Sequence, residues 1–245
     1  MIYGSNPGLA AEHFEVAAKT IGFAVLLDGL DGRIARMTNT TSEFGRELDS
    51  LADVISFGIA PAILAYVWGV LFVDNPIVDQ WGKLLAFLFL VCGAMRLARF
   101  NVQKNPIPRN PGRPNRKYFV GLAIPAAAGM VAAVVYAFHS YPITELHWSV
   151  LWLALMALLS FLMVSTWRYW SFKELNMLSP RSPVLLVVMC ATIYAIWNWG
   201  QEVLLIMAST YVASGILIRA GGIIRRNFPK KPSAVGGSKP ETQIG

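Results

Sequence analysis

Between residues 28 and 53 the chain reads DGLDGRIARMTNTTSEFGRELDSLAD, with four aspartates in two pairs, Asp28 with Asp31 and Asp49 with Asp53. Spacings of three and four put each pair on one face of a helix. The polar connection 37–44, MTNTTSEF, is short, so the two helices run as antiparallel neighbours and the four carboxylates converge. Thr40 followed by Glu43 fits a capping box that starts the second helix. Four unpaired negative charges repel, and one intramembrane charge alone costs about 2.5–3.5 kcal/mol on insertion scales. One or two divalent cations would resolve that repulsion. All-oxygen ligands suit Mg2+ or Mn2+ before zinc, and carboxylate-held Mg2+ usually also takes substrate phosphates. Gly29, Gly32 and Ala35 remove bulk beside the first pair, and Gly45 opens the facing side. Arg36 is spaced to contact a phosphate or brace a carboxylate.

The elements that must position these residues are membrane helices. Hydrophobic residues make up 55% of the 245 positions and charged ones only 14%, well below the quarter or so typical of soluble domains. Seven stretches approach the roughly 20 apolar residues that cross a bilayer, near 14–30, 50–73, 81–100, 119–138, 147–166, 183–199 and 202–219. Alternating strand patterns are missing, which argues against a β-barrel and predicts an all-α polytopic bundle of about seven spans. The net charge of +7 does not imply a nucleic-acid partner, because its distribution follows topology. Connections 74–80 and 140–146 carry no Lys or Arg, whereas Arg33, Arg36, Arg46, Lys104, Arg109, Arg113, Arg116, Lys117, Arg168, Lys173 and Arg181 crowd the opposite side. The positive-inside rule makes that side, and the C-terminus, cytoplasmic. The aspartates then sit at the cytoplasmic membrane edge, beside membrane lipids whose anionic headgroups favour such cations.

Trp68, Trp81, Trp148, Trp197 and Trp199 are expected at the outer interface and Trp167 and Trp170 at the inner one. Cys92 and Cys190 lie in apolar spans and read as packing residues. Gly58 and Ala62 have the small-residue spacing of close helix packing, within one chain or between two. The division expected is a membrane domain over 1–219, with a C-terminal helical hairpin, and a basic polar tail over 220–245. No signal peptide precedes the first span.

As a pattern, Asp28 to Asp53 is D-x2-D-G-x2-A-R-x8-G-x3-D-x3-D, which resembles the signature of the CDP-alcohol phosphotransferase family at all its defined positions. The segments LDSLADVISFGIAPA, CGAMRLARFNV and KYFVGLAIPAAAG are similar to its serine-accepting bacterial branch, although Ala123 stands where proline is expected. The resemblance implies transfer of a phosphatidyl group from CDP-diacylglycerol to L-serine with release of CMP. It implies a metal held by Asp28, Asp31 and Asp49, with Asp53 at a second metal or as general base. Gly32, Ala35, Arg36 and Gly45 would accommodate nucleotide and phosphates. It also implies a homodimer in the bacterial cytoplasmic membrane. Against the family's six-helix core, the first helix is expected to be missing from this chain.

Serine needs a partner for its carboxylate. Arg96, Arg99 and Asn101, level with the aspartates, and Lys117 with Tyr118 in the next connection are the candidates, the two arginines reading equally as interfacial anchors. Ser56 reads as a backbone-bonded hydroxyl, and His13, His139 and His147 share no metal-ligand spacing. The same chemistry with inositol phosphate, glycerol phosphate or choline is the nearest alternative. A divalent-cation transporter is the rival from another class, and it predicts acids spread near the midplane.

Overall fold

A computed structural model describes residues 7–37, 43–104, 118–170, 198 and 200–219; side chains at 7–9, 30–37, 43, 46, 102–104, 118–120 and 168–170 are outside the description. The chain forms α1 (Pro7–Met37), α2 (Glu43–Asp53), a π-helical turn (Val54–Ile59), α3 (Ala60–Gly69), α4 (Pro76–Lys104), α5 (Ile124–Ala137) and α6 (Leu146–Val164). A further helix, α7 (Gly200–Arg219), follows. Two three-residue strands, β1 (Tyr118–Val120) and β2 (Arg168–Trp170), pair antiparallel with Phe119 opposite Tyr169. Over the described residues the molecule is thus an all-α helix bundle with one short ladder.

Among the described residues four helices are long and apolar enough to cross a membrane: Glu47–Gly69, Pro76–Asn101, Leu146–Val164 and Gly200–Arg219. They coincide with four of the expected spans. The stretch 14–30 falls within α1, and 183–199 lies almost wholly outside the described residues, as do Cys190 and the tail. The expected span 119–138 is shorter than anticipated. Its helix starts only at Ile124, because the chain first pairs as β1 and then turns at Gly121, whose φ of +80° favours glycine. A Cβ there would also meet the Met163 carbonyl oxygen at 2.7 Å. Pro125 then occupies the first turn of α5, where a missing N–H costs nothing.

Packing pairs α4 with α6 and α1 with α5, and the π-helical turn touches α1, α3, α4 and α5. The core gathers Phe14, Ile21, Phe57, Trp68, Phe89, Leu122, Val131, Trp152, Leu159 and Leu162. Trp68 departs from the interfacial expectation. It is 1% exposed and packs edge-on against Trp152, with ring centroids 5.0 Å apart, while the Trp152 indole N–H donates to the Ala65 carbonyl at 2.9 Å. Gly69 makes this possible, since a Cβ at that position would overlap the Trp152 indole. Trp81 and Trp148 do remain exposed, as an interfacial belt requires. Gly58 packs within the chain, where an added Cβ would lie 2.9 Å from Leu90 Cδ1 on α4.

The connecting end of the α3–α4 hairpin is pinned by polar contacts. The Tyr66 hydroxyl donates to Asp79 at 2.6 Å and Lys83 pairs with the same carboxylate at 2.7 Å. Asn75 Oδ1 accepts from the N–H groups of Ile77 and Val78, capping α4. These contacts fix the slope at which α4 descends to the opposite, aspartate-bearing end.

Candidate active site

α1 carries Asp28 toward its C-terminal end, and α2 carries Asp49 and Asp53 as it enters the apolar segment. One carboxylate oxygen from each of Asp28, Asp49 and Asp53 lies within 4.8 Å of the others. Asp28 and Asp53 are half-buried and Asp49 is exposed, so the cluster opens to one side. Three of the four expected carboxylates therefore meet. Asp31, Gly32, Ala35 and Arg36 share α1 with Asp28, but their side chains are outside the description; Gly45 lies exposed on α2. Thr40 and Lys117 lie outside the described residues.

The donor set suits a hard divalent cation. Oxygens bound at about 2.0–2.6 Å on opposite sides of one ion are roughly 4–5 Å apart, so a 4.8 Å triangle can close around it. The cluster comprises carboxylate oxygens only, which argues for magnesium- or manganese-type ions over zinc.

The π-helical turn begins at the residue after Asp53, and sequence reasoning missed it. Its Ala60 N–H reaches back five residues to the Ile55 carbonyl. The signal was Pro61: it has no N–H for the carbonyl four residues back, and its ring crowds that carbonyl, so the turn ahead of it widens. The extra residue offsets the faces of the two helical segments. α2 can aim its carboxylates at the site while α3 turns Leu64, Ala65 and Trp68 into the core. On α2 the apolar Phe44, Leu48 and Leu51 stay exposed, as befits an amphipathic helix at a membrane surface.

The C-terminal end of α4 completes the arrangement. The Asn101 amide donates to Ser50 Oγ at 2.8 Å, bracing the residue next to Asp49. Arg99 reaches across to the Val164 carbonyl at 3.4 Å, tying α4 to the end of α6. Arg96 lies within electrostatic range of Asp53 and of Arg99, and its Nε is buried without a hydrogen-bond partner. The three α4 candidates thus divide. Asn101 and Arg99 are engaged in holding helices, whereas Arg96 keeps a buried donor for something else. Ser50 and Tyr211 of α7, the latter within electrostatic range of Arg96, went unnoticed in the sequence, because neither belongs to a spacing pattern.

A helical membrane protein that gathers carboxylates and an arginine at one end of its bundle has the groups to handle phosphate through a bound cation. The CDP-alcohol phosphatidyltransferase family model matches residues 6–160, and this chain belongs to that family. A Helicobacter pylori protein (strain ATCC 700392 / 26695) named CDP-diacylglycerol–serine O-phosphatidyltransferase is 36% identical over 222 residues, 90% of this chain and 86% of its own. Proteins of the same name from Methanocaldococcus jannaschii and Saccharomyces cerevisiae are 37% identical over 149 residues and 42% over 109. Those matches cover 61% and 44% of this chain, and 61% and 37% of the relatives.

Proposed function

We propose that the chain transfers the phosphatidyl group of CDP-diacylglycerol to the hydroxyl of L-serine, giving phosphatidylserine and CMP. The observation that carries the chemistry is the meeting of Asp28, Asp49 and Asp53 beside Arg96. The choice of serine rests on relatives named for that acceptor, one of them matching nine-tenths of the chain.

In this reading Asp28, Asp31, Asp49 and Asp53 hold a divalent cation, Mg2+ or Mn2+, which draws charge from the donor diphosphate when bound. Gly32, Ala35, Arg36 and Gly45 border the nucleotide and its phosphates. Asp53 accepts the serine hydroxyl proton, since a protonated hydroxyl is a weak nucleophile and a positioned carboxylate corrects that. The serine oxygen bonds to the phosphorus that bears the diacylglycerol. The bond from that phosphorus to the CMP oxygen breaks, and CMP leaves with the electron pair. Asn101 and Arg99 keep α2 and α6 in register with α4 while this happens. The lipid donor enters sideways from the bilayer and serine from the cytoplasm, which suits a cluster at the cytoplasmic edge of a bacterial membrane. The homodimer implied by the family belongs to the same reading, and the mass of the detergent-solubilised particle tests it.

The deciding assay supplies purified protein with CDP-diacylglycerol and labelled serine. Serine-dependent CMP release with label in lipid is expected. Release only with inositol phosphate, glycerol phosphate or choline overturns the acceptor, and release with none of them overturns the transferase reading.

A further inference from the structure

At the end of the bundle opposite the carboxylates, the α5–α6 connection and the helices it joins line a cavity of about 620 Å3, a volume typical of small-molecule pockets. Trp68, in its wall, lies four turns beyond Asp53 on one continuous helix, so roughly 20 Å separates the cavity from the transfer site. Trp68, Phe138, Tyr141, Trp148 and Trp152 surround one part of it. Four of these rings touch in series: centroids stand 5.0 Å apart for Trp68 and Trp152, 6.3 Å for Trp68 and Phe138, and 6.2 Å for Phe138 and Trp148. Leu151, Ala154, Leu155 and Leu158 line the rest as a stripe down one face of α6. Leu151 and Leu158 are 60% and 39% exposed, so the cavity opens along the apolar flank of a helix long enough to cross a membrane.

The wall carries unmet demands. Among the described residues three buried side-chain polar atoms have no hydrogen-bond partner, and two of them, Trp68 Nε1 and Ser140 Oγ, belong to the lining or to the residue beside it. His139 and Ser140 are also the non-glycine residues with positive φ, at 52° and 60°, a left-handed conformation that gathers at ligand clamps. Glu145 is the one charged side chain among the described lining residues, and it begins α6 without a side-chain hydrogen bond to the helix. The His147 imidazole 3.2 Å away is exposed, a contact that another cation can replace. A carboxylate beside aromatic rings is the chemistry that recognises an ammonium group, through charge and through the ring quadrupole.

We propose that this cavity seats a zwitterionic glycerophospholipid with an ammonium headgroup, at a site separate from the transfer centre. The ammonium meets Glu145 and the rings, and one acyl chain lies along Leu151, Leu155 and Leu158. The lipid's ester and phosphate oxygens are acceptors of the kind that the Trp68 indole and the Ser140 hydroxyl lack. Exposed Phe138, Tyr141 and Trp148 put the mouth at the depth of an interfacial aromatic belt, where lipid headgroups lie. The CDP-linked donor is a poor occupant, because its diphosphate would meet Glu145 with like charge. A soluble ammonium compound would leave the apolar stripe uncovered.

The test uses the full-length protein in detergent with chain-matched lipids. Phosphatidylethanolamine or phosphatidylcholine should raise Tm by about 5 °C at saturation, and phosphatidylglycerol should not. Glu145→Gln should lose that rise while keeping the wild-type Tm without lipid and wild-type CMP release. Ala154→Trp, which fills the groove from an exposed position on α6, should lose it too. Glycerophosphoethanolamine, a headgroup without chains, should give no rise. A rise with only one of the two ammonium lipids narrows the headgroup and upholds the site. An equal rise with phosphatidylglycerol, or a full rise in Glu145→Gln, overturns recognition of the ammonium. A full rise with the soluble headgroup, or in Ala154→Trp, overturns the seat for an acyl chain, and no rise with any lipid overturns the site. None of these readouts depends on which alcohol accepts the phosphatidyl group.

Discussion

Asp49→Asn separates the electrostatic account of the site from a merely structural one. The three carboxylate oxygens stand within 4.8 Å of one another. At that separation each pair of unit charges repels by about 0.9 kcal/mol in bulk water and about 3.5 kcal/mol at an effective dielectric of 20. Asp49 is exposed, so its pairs sit toward the lower figure, and solvent and salt screen them. It takes part in two of the three pairs, so neutralising it relieves about 2 kcal/mol in protein stripped of metal. For a chain of this size that is about 4–8 °C in Tm. Asp49 is a better probe than Asp53, because Arg96 already offsets part of the Asp53 charge. Thermal unfolding in detergent, with chelator and then with added Mg2+ or Mn2+, gives the readout. The variant should melt higher than the wild type in chelator, lose most of the metal-induced rise, and lose phosphatidyl transfer. A variant that melts lower in chelator and keeps the full metal response refutes the idea that these carboxylates form a repulsive cluster waiting for a cation.

Asp53→Asn should abolish transfer while the protein inserts and purifies normally; near-wild-type turnover would remove Asp53 from the role of base. Asn101→Ala breaks the brace on Ser50 and should weaken metal binding about tenfold, the usual scale for groups that orient ligands, measured by titrating metal against Tm. Trp152→Phe loses the buried hydrogen bond to Ala65 and should cost about 1 kcal/mol of stability with kcat unchanged, because it lies toward the other end of the bundle. Chelation should stop CMP release and added Mg2+ or Mn2+ restore it; full activity in chelator would rule out a metal in the transfer step.

The aspartates were legible because their signal is local. Two same-face pairs across a short connection can converge, and Asp28, Asp49 and Asp53 do so, with α1 packing on the π-helical turn and α3 that continue α2 rather than along α2 itself. Helix existence was legible for the same reason: long apolar runs leave few alternatives, and four of them emerged close to where hydropathy put them. What failed depended on partners distant in sequence. Trp68 resembles an interfacial tryptophan until Trp152, 84 positions later, closes over it at the surface left by Gly69. The start of α5 shifted because β1 found β2 some fifty residues away, a pairing that three-residue strands cannot announce.

The π-helical turn lies between these cases, since Pro61 was visible and its consequence was not. A proline inside an apolar run predicts disturbance of the preceding turn, but several distortions satisfy it, among them a kink and a wide turn. The surroundings decide: Gly58 leaves room only for close approach to Leu90, and Phe57 must reach the core. A wide turn meets both demands and keeps the helix continuous. Asp53 therefore stays coupled to the packing of α3. Pro61→Ala should let the turn relax toward α-helical spacing and rotate the carboxylates of α2 relative to the core face of α3. Metal affinity should then fall more than stability does. An unchanged metal titration in that variant would show that the turn takes no part in aiming the site.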